Sequence, residues 1–388
     1  MASSNPGVHF ALTSHGLGHV TRTAEVVREF IALFPEVEVV ISTTVDEEWL
    51  AREIGAPIRY RAQGYEPGMA QRNCFEVDLE ATRKAYRSYC WRRKQRLQDE
   101  MAFLREADWH GVVCDIPALP VRAAAELGIP VVGVSNITWD WVLEPVFGSD
   151  TAIPRMLAED YQCGQRHLRL PLGPESSPFP ESEAAPLVAR SATQSPEQVK
   201  RRLQIPEHDK RLLAVVCPGG WSADSWEPIH VSGCEDFCFV MVGELPVTAD
   251  APVLHLAHSL VPGVSFADLV AAADVMLAKP GYGIASECLQ NRTPQVGIER
   301  PDFRETPLLV EALRAAGPYA DLSLEGFFQG RWQDSLHQAH ASPTPWKPFP
   351  QQGARQIAKR LGSLFQVPGA SLPSRAGAIP LDRSGDRS

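Results

Sequence analysis

Short apolar runs alternate with amphipathic stretches along most of the chain. Val8 to Thr13 is a β-rich run ending in Ser14-His15-Gly16-Leu17-Gly18-His19, after which Val20 to Phe34 carries apolar residues at helical spacing. Val37 to Ser42 predicts a buried strand, Asp46 to Ile54 a short helix, Pro57 to Ala62 a strand and Leu79 to Ala107 a long, charge-rich helix. Gly111 to Cys114 then reads as a strand, Leu119 to Leu127 as a helix stopped by Gly128, and Ile129 to Ser135 as a strand. Strands alternating with helices predict a parallel sheet covered on both faces.

The pattern breaks between Leu170 and Pro196, where PLGPESSPFPESEAAP is dense in Pro, Ser and Glu and makes a poor core. It restarts with strands over Leu212 to Cys217, Phe237 to Val242 and Pro252 to Leu256. Phe266 to Ala273 follows as a helix, Val275 to Ala278 as a strand, Ile284 to Gln290 as a helix and Gln295 to Ile298 as a strand. The expected organisation is a wound domain over 1–175, a linker over 176–196 and a second wound domain over 197–350. A terminal helix over 351–366, free to fold back on the first domain, and a disordered tail over 367–388 complete it.

The length of 388 residues agrees with two domains at about 150 residues each. The 37 Lys and Arg against 47 Asp and Glu leave a net charge of −10, which weighs against general nucleic-acid or anionic-membrane binding but not against a local basic patch. No apolar stretch is long enough for a membrane span, and MASSNPGVHFALTS lacks the charge and apolar core of a signal peptide. A cytoplasmic protein is expected, with a peripheral membrane contact left open. The eight cysteines are scattered; Cys234 and Cys238 near His230 have no second pair, so buried thiols are expected and no metal.

Three glycine turns sit where strands feed helices: Gly16 and Gly18, Gly219 and Gly220, and Gly281 and Gly283. Helix N-termini at such turns offer free amides and partial positive charge to a phosphate. A dinucleotide fingerprint fails at its third glycine, where Thr21 stands, and no GxxxxGK[ST] loop exists. In a helix starting near Gly283, Glu287 lies about one turn inward, placed to accept from ribose hydroxyls while the preceding amides hold a diphosphate. Glu287 could equally complement the helix dipole. Glu305 in the polar loop after Ile298 could hold sugar hydroxyls, and Lys279 could add a cation near the phosphates.

Ala278 to Gly283 through Ser286-Glu287, with the Phe303-Arg304-Glu305 loop, resembles the donor-nucleotide motif of family-28-like GT-B glycosyltransferases, which include the peptidoglycan N-acetylglucosaminyltransferase. His15 to Arg22 and Asp115 to Trp141 are similar to the amino-terminal, glycosyltransferase-like region of L-arabinokinases. The sugar-kinase half of those proteins has no counterpart here. The resemblance implies a GT-B fold of two Rossmann-like domains facing across a cleft. The second half would bind a nucleoside-diphosphate sugar, most often a UDP-sugar, and the first a small-molecule or lipid-linked acceptor.

By that resemblance Gly281, Tyr282 and Gly283 match the diphosphate turn, joined by Gly18 across the cleft; Gly219, Gly220 and Ser222 match a second phosphate-facing turn. Glu287 matches the ribose carboxylate, Glu305 the donor-sugar loop and Phe266 the base-binding position. His19 matches a histidine that takes the acceptor proton, and Asp115 could orient it, although Asp before Pro117 is also an ordinary helix cap. His15, Asn136 and Trp139 fall on the acceptor side. The chemistry expected is inverting, metal-independent transfer without a cofactor beyond the nucleotide-sugar co-substrate. A nucleotide-sugar epimerase and a non-catalytic nucleotide-sugar-binding protein are the alternatives. The basic helix residues Arg83, Lys84, Arg87, Arg92, Arg93, Lys94 and Arg96 either receive an anionic acceptor or form a solvated face paired with carboxylates.

Overall fold

The computed structural model describes residues 6–219, 227–243, 245–256 and 261–370. The first half runs β1 (Gly7–Leu12), α1 (Leu17–Leu33), β2 (Val39–Thr43), α2 (Glu47–Ile54), β3 (Arg59–Ala62), α3 (Leu79–Leu104) and β4 (Trp109–Asp115). It continues with α4 (Leu119–Glu126), β5 (Val131–Ser135), α5 (Trp139–Phe147), α6 (Ala152–Gln162), β6 (Arg166–Arg169) and β7 (Glu181–Ala184). These strands form one sheet in the order β3-β2-β1-β4-β5-β6-β7, every pairing parallel.

The second half runs α7 (Pro196–Arg202), β8 (Leu212–Cys217), β9 (Ile229–Val231), β10 (Phe237–Val242), β11 (Val247–Ala249), β12 (Val253–Leu256), α8 (Phe266–Ala272) and β13 (Val275–Ala278). After these come α9 (Tyr282–Asn291), β14 (Gln295–Ile298), α10 (Glu305–Ala316), β15 (Tyr319–Leu322), α11 (Leu324–Phe328), α12 (Gln333–His340) and α13 (Gly353–Leu364). The sheet order is β12-β10-β8-β13-β14-β15, with β9 and β11 as a separate pair. Both main sheets thus share one winding, in which the first strand of each has neighbours reached by crossovers in opposite directions. A crevice opens at the carboxyl ends of the strands at that reversal. In the first sheet it lies beyond β1 and β4, where Leu12 is level with Asp115; in the second it lies beyond β8 and β13, where Cys217 is level with Ala278.

Both faces of each sheet are buried, which is why the central strands read as unbroken apolar runs. On β4, Val112 and Cys114 pack toward α3, α4 and α5, while Val113 packs toward α1. On β8, Ala214 and Val216 face α11 and α12, while Leu213, Val215 and Cys217 face α7 and α8. Ile357, Ala358 and Leu361 of α13 join Val26, Val27 and Phe30 of α1, so the last helix completes the first domain's core.

Two stretches differ from the sequence expectation. The segment 176–196, read as linker, contains β7, whose Glu183 pairs with Arg166 of β6 and Arg360 of α13; its polar residues suit an edge strand exposed to water. Val367, placed at the start of the tail, is buried beside Phe365, and only 371–388 lies outside the described residues at that end.

The two domains interlock. The loop between β3 and α3 carries Cys74 and Phe75 into the second domain's core, with the Phe75 ring 5.5 Å from that of Phe327. Arg300 Nε donates to the Cys74 carbonyl at 3.1 Å, which fastens the loop from the other side. Replacing the fully buried Phe75 by Ala is expected to cost about 3–5 kcal/mol in urea denaturation. A loss below about 1 kcal/mol would show that the loop is not part of that core.

Candidate active site

The turn after β1 reaches α1 through Gly16, whose φ of 85° is accessible to glycine at little cost. The next turn of helix places His19, Arg22 and Thr23 on one face, three and four residues apart. All three converge on Asp115 at the end of β4. Its carboxylate is fully buried and accepts from His19 Nδ1 at 3.0 Å, Thr23 Oγ1 at 2.7 Å, and Arg22 Nη2 at 2.8 Å to Oδ1 and 2.7 Å to Oδ2. Burial alone pushes the carboxyl up, but the charge of Arg22 and the hydrogen bonds from His19 and Thr23 hold it down to about 2.

Arg22 Nη2 also lies 3.1 Å from His19 Nδ1, but its protons are directed to the carboxylate, which draws the Nδ1 proton as well. His19 Nε2 is thereby left with its lone pair, and it has no hydrogen-bond partner among the described residues. Arg22 Nη1 donates to Asn136 Oδ1, and Asn136 Nδ2 donates to the Pro171 carbonyl at 2.5 Å. The Asn136 amide therefore braces Arg22. Asp115 does not cap α4: Glu66 does, accepting from the amides of Ala118 and Leu119 at 3.0 and 2.9 Å. Burial pushes Glu66 up to about 7 against those hydrogen bonds.

The glycine turns of the two domains meet backbone to backbone. A Cβ at position 283 would lie 2.9 Å from the Gly18 Cα, and one at position 18 would lie 3.4 Å from the Gly283 nitrogen. Gly281 caps α9 with open space where a side chain would be. Beside this junction, Gly219 has a φ of 132°, and Lys279 follows β13. Burial, with Arg300 nearby, pulls the Lys279 ammonium down to about 8. Arg300 is 6% exposed, stacks 3.3 Å from the Phe303 ring centroid, and is pulled down by burial to about 10. Neither cation has an ion-pair partner among the described residues. Burial, followed by His19, Arg300 and Lys279, lowers His15 to about 3 and keeps it neutral.

Buried polar atoms without partners cluster at the same seam: Tyr282 Oη, Glu305 Oε2, Thr306 Oγ1 and Trp139 Nε1. Buried polar atoms are ordinarily paired with protein, ordered water or ligand. Trp139 is buried and meets the His15 ring edge-on at 5.5 Å, so it offers its indole N–H rather than an open face. Glu305 opens α10 rather than standing in a loop. Glu287, in the second turn of α9, is 5% exposed; burial raises its pKa, and Arg190 opposes the rise. Arg190 donates to Glu287 Oε1 and to Glu53 Oε1, each at 2.6 Å, bridging both domains. Phe266 opens α8 with the Arg190 guanidinium 5.9 Å from its ring centroid. Gly220 and Ser222 lie outside the described residues. Among the described residues no cluster of three His, Cys, Asp or Glu side chains stands together as metal ligands.

Sequence reasoning left Arg22, Thr23, Glu66, Arg190 and Arg300 without roles. The spacing of Arg22 and Thr23 from His19 was a readable signal, whereas Arg190 and Arg300 acquire their partners only through tertiary packing.

The Asp115 pKa is depressed on folding, so its contribution to stability is complete above its unfolded value of 3.8 and disappears as pH falls through about 2. The wild type is expected to lose on the order of 2 kcal/mol across that window from this group. Asp115→Asn should be less stable at pH 7, with the gap narrowing toward pH 2. Parallel stability curves for the two proteins would contradict this account of the carboxylate.

No protein-family model matches the chain. It is 29% identical over 336 residues to L-arabinokinase of Arabidopsis thaliana, an alignment covering 85% of this chain and 32% of that protein. The chain thus spans about a third of that relative's length. Among solved structures it is similar to the glycosyltransferase of kitacinnamycin, at a TM-score of 0.59 and 16% identity over 93% of this chain and 94% of that one. The calicheamicin glycosyltransferase superposes with a TM-score of 0.55 and 15% identity over 94% and 95% of the two chains. Glycosyltransferase VinC, in complex with dTDP, gives 0.54 and 14% over 93% and 95%. With two parallel-sheet domains of matching winding and these likenesses, the chain has the GT-B glycosyltransferase fold.

Proposed function

We propose that the protein is an inverting glycosyltransferase that moves a sugar from a nucleoside-diphosphate donor, a UDP-sugar in the first instance, to the hydroxyl of an acceptor. The observation that carries this reading is the convergence of a histidine with a free Nε2, oriented by a buried aspartate, and a glycine-opened helix N-terminus from the opposite domain. The acceptor O–H gives its proton to His19 Nε2 as its oxygen forms a bond to the anomeric carbon. The bond from that carbon to the diphosphate oxygen breaks, and the diphosphate keeps the electron pair. Asp115 stabilises the imidazolium that forms, and Arg22 keeps Asp115 ionised.

The departing diphosphate gains negative charge at a site with amides of the Gly281-Tyr282-Gly283 turn, Lys279 and Arg300 around it. Two cations without ion-pair partners complement that charge. Glu287 is assigned the ribose hydroxyls, which would compete with Arg190 for its carboxylate. Glu305 and Tyr282 are assigned the transferred sugar, because each holds a buried oxygen without a partner. His15 and Trp139 are assigned to the acceptor side.

A nucleoside diphosphate that binds only the folded state must raise its melting temperature. UDP or dTDP at millimolar concentration is expected to do so for wild type and for His19→Ala alike, while His19→Ala loses turnover by about 100-fold or more. Absence of any shift with every nucleoside diphosphate would overturn the donor site. Full turnover by His19→Ala would overturn the base. A sugar isomer formed from the donor alone would identify an epimerase instead.

Because Lys279 loses its proton near pH 8, donor affinity is expected to fall by roughly tenfold as pH rises from 7 to 9. Lys279→Gln should bind more weakly at pH 7 and lack that dependence. An unchanged pH profile in the variant would remove Lys279 from the phosphate site.

A further inference from the structure

Helix α3, the longest helix among the described residues, has a polar face strongly biased in sign. From Ala81 to Gln98 it contains no Asp or Glu and seven basic residues. Three of these turn inward: Arg83 donates to the Val146 carbonyl at 2.7 Å, Arg93 pairs with Asp160, and Arg96 donates to the Gly64 carbonyl at 3.1 Å. The other four, Lys84, Arg87, Arg92 and Lys94, are exposed and have no carboxylate partner among the described residues. Arg92 reaches only the Ser88 hydroxyl. The solvated face of paired charges that the sequence allowed is therefore not formed by these four.

Lys84, Arg87, Trp91 and Lys94 are spaced three, four and three residues apart, which puts them in one line along the helix. Trp91 stands in the middle of that line and is 87% exposed. The opposite face of α3 is ordinary core, with Tyr86, Tyr89 and Phe103 buried against the first domain. Nothing in the packing of α3 accounts for an indole left in water between cations.

We propose that this face of α3 docks on an anionic lipid bilayer, with Trp91 at the headgroup level and the four cations against acidic headgroups. An indole is stabilised at the boundary of water and hydrocarbon, and flanking Lys and Arg are attracted by the negative surface potential. A soluble polyanion would match the cations but give Trp91 no apolar surroundings. The chain as a whole carries a net charge of −10 and is repelled by an acidic surface, so attachment is oriented: α3 faces the lipid and the acidic remainder faces away. The inner face of the same helix braces the loop beside the candidate active site. Thr82 Oγ1 accepts from the Ala70 amide at 3.0 Å, two residues from Gly68, which lies against the His15 ring. Docking through α3 therefore brings that loop within about one helix diameter of the membrane. The inference does not depend on the transfer reaction.

The test is sedimentation with phosphatidylcholine vesicles, with and without about a third phosphatidylserine, together with quenching by brominated acyl chains. Wild type is expected to sediment with the acidic vesicles, to remain in solution with the neutral ones, and to be released at about 0.5 M salt. Lys84→Glu/Arg87→Glu should lower the bound fraction by about tenfold or more without changing the melting temperature, since both side chains are exposed. Trp91→Phe should lose the lipid-dependent part of the quenching. Equal binding to both vesicles, no binding to either, or quenching unchanged in Trp91→Phe would overturn the proposal. Binding to heparin with no lipid-dependent quenching would also overturn it, in favour of a soluble polyanion.

Discussion

The candidate site is organised around a negative charge with no contact with water. Asp115 ends β4 at the winding reversal of the first sheet, and three side chains from one face of α1 complete its hydrogen bonds. A buried carboxylate left unpaired costs several kcal/mol, so Arg22 is required there whether or not His19 reacts with anything. Arg22 in turn is fixed by Asn136, and Asn136 by the Pro171 carbonyl. This chain of contacts crosses three strands of the sheet and locks the orientation of the imidazole. His19 Nε2, the proposed base, has no hydrogen-bond partner among the described residues.

The second domain meets this network through the smallest residues available. Gly18 and Gly283 approach so closely that a side chain at position 283 would strike backbone, which has little room to yield. On one side of this junction Phe75 is set into the opposite domain's core. On the other, Arg190 joins Glu53 of α2 to Glu287 of α9. Two contacts therefore pin the cleft, and the cations Lys279 and Arg300 lie by the Cys74 side of it. The residues that fix domain position thus border the residues proposed to hold the donor.

Much of this was legible before any coordinates. The glycine turns, the alternation of strands and helices, and the pairing of His19 with Asp115 follow from local signals: β-rich runs, turn residues and a fixed place at a strand end. The edge strand Glu181–Ala184 was not legible, because its alternation is polar and only pairing with Arg166–Arg169 makes it a strand. The cap of α4 was not legible for a related reason. Asp115 precedes the helix in sequence, but its charge is already taken by α1, and the cap comes from Glu66 on a distant loop. Long-range partners of Arg190 and Arg300 carry no sequence period at all. The four solvent-facing cations of α3 were visible as composition, but which of the seven basic residues remained unpaired depended on how the helix turned.

The most direct measurement is a crystal structure with a nucleoside diphosphate bound. The account predicts the diphosphate within hydrogen-bond reach of the Tyr282 and Gly283 amides, the ribose at Glu287 in place of Arg190, and His19 Nε2 facing the space beyond the terminal phosphate. A nucleotide bound away from the start of α9, or an imidazole whose Nε2 is taken up by the protein, would contradict it.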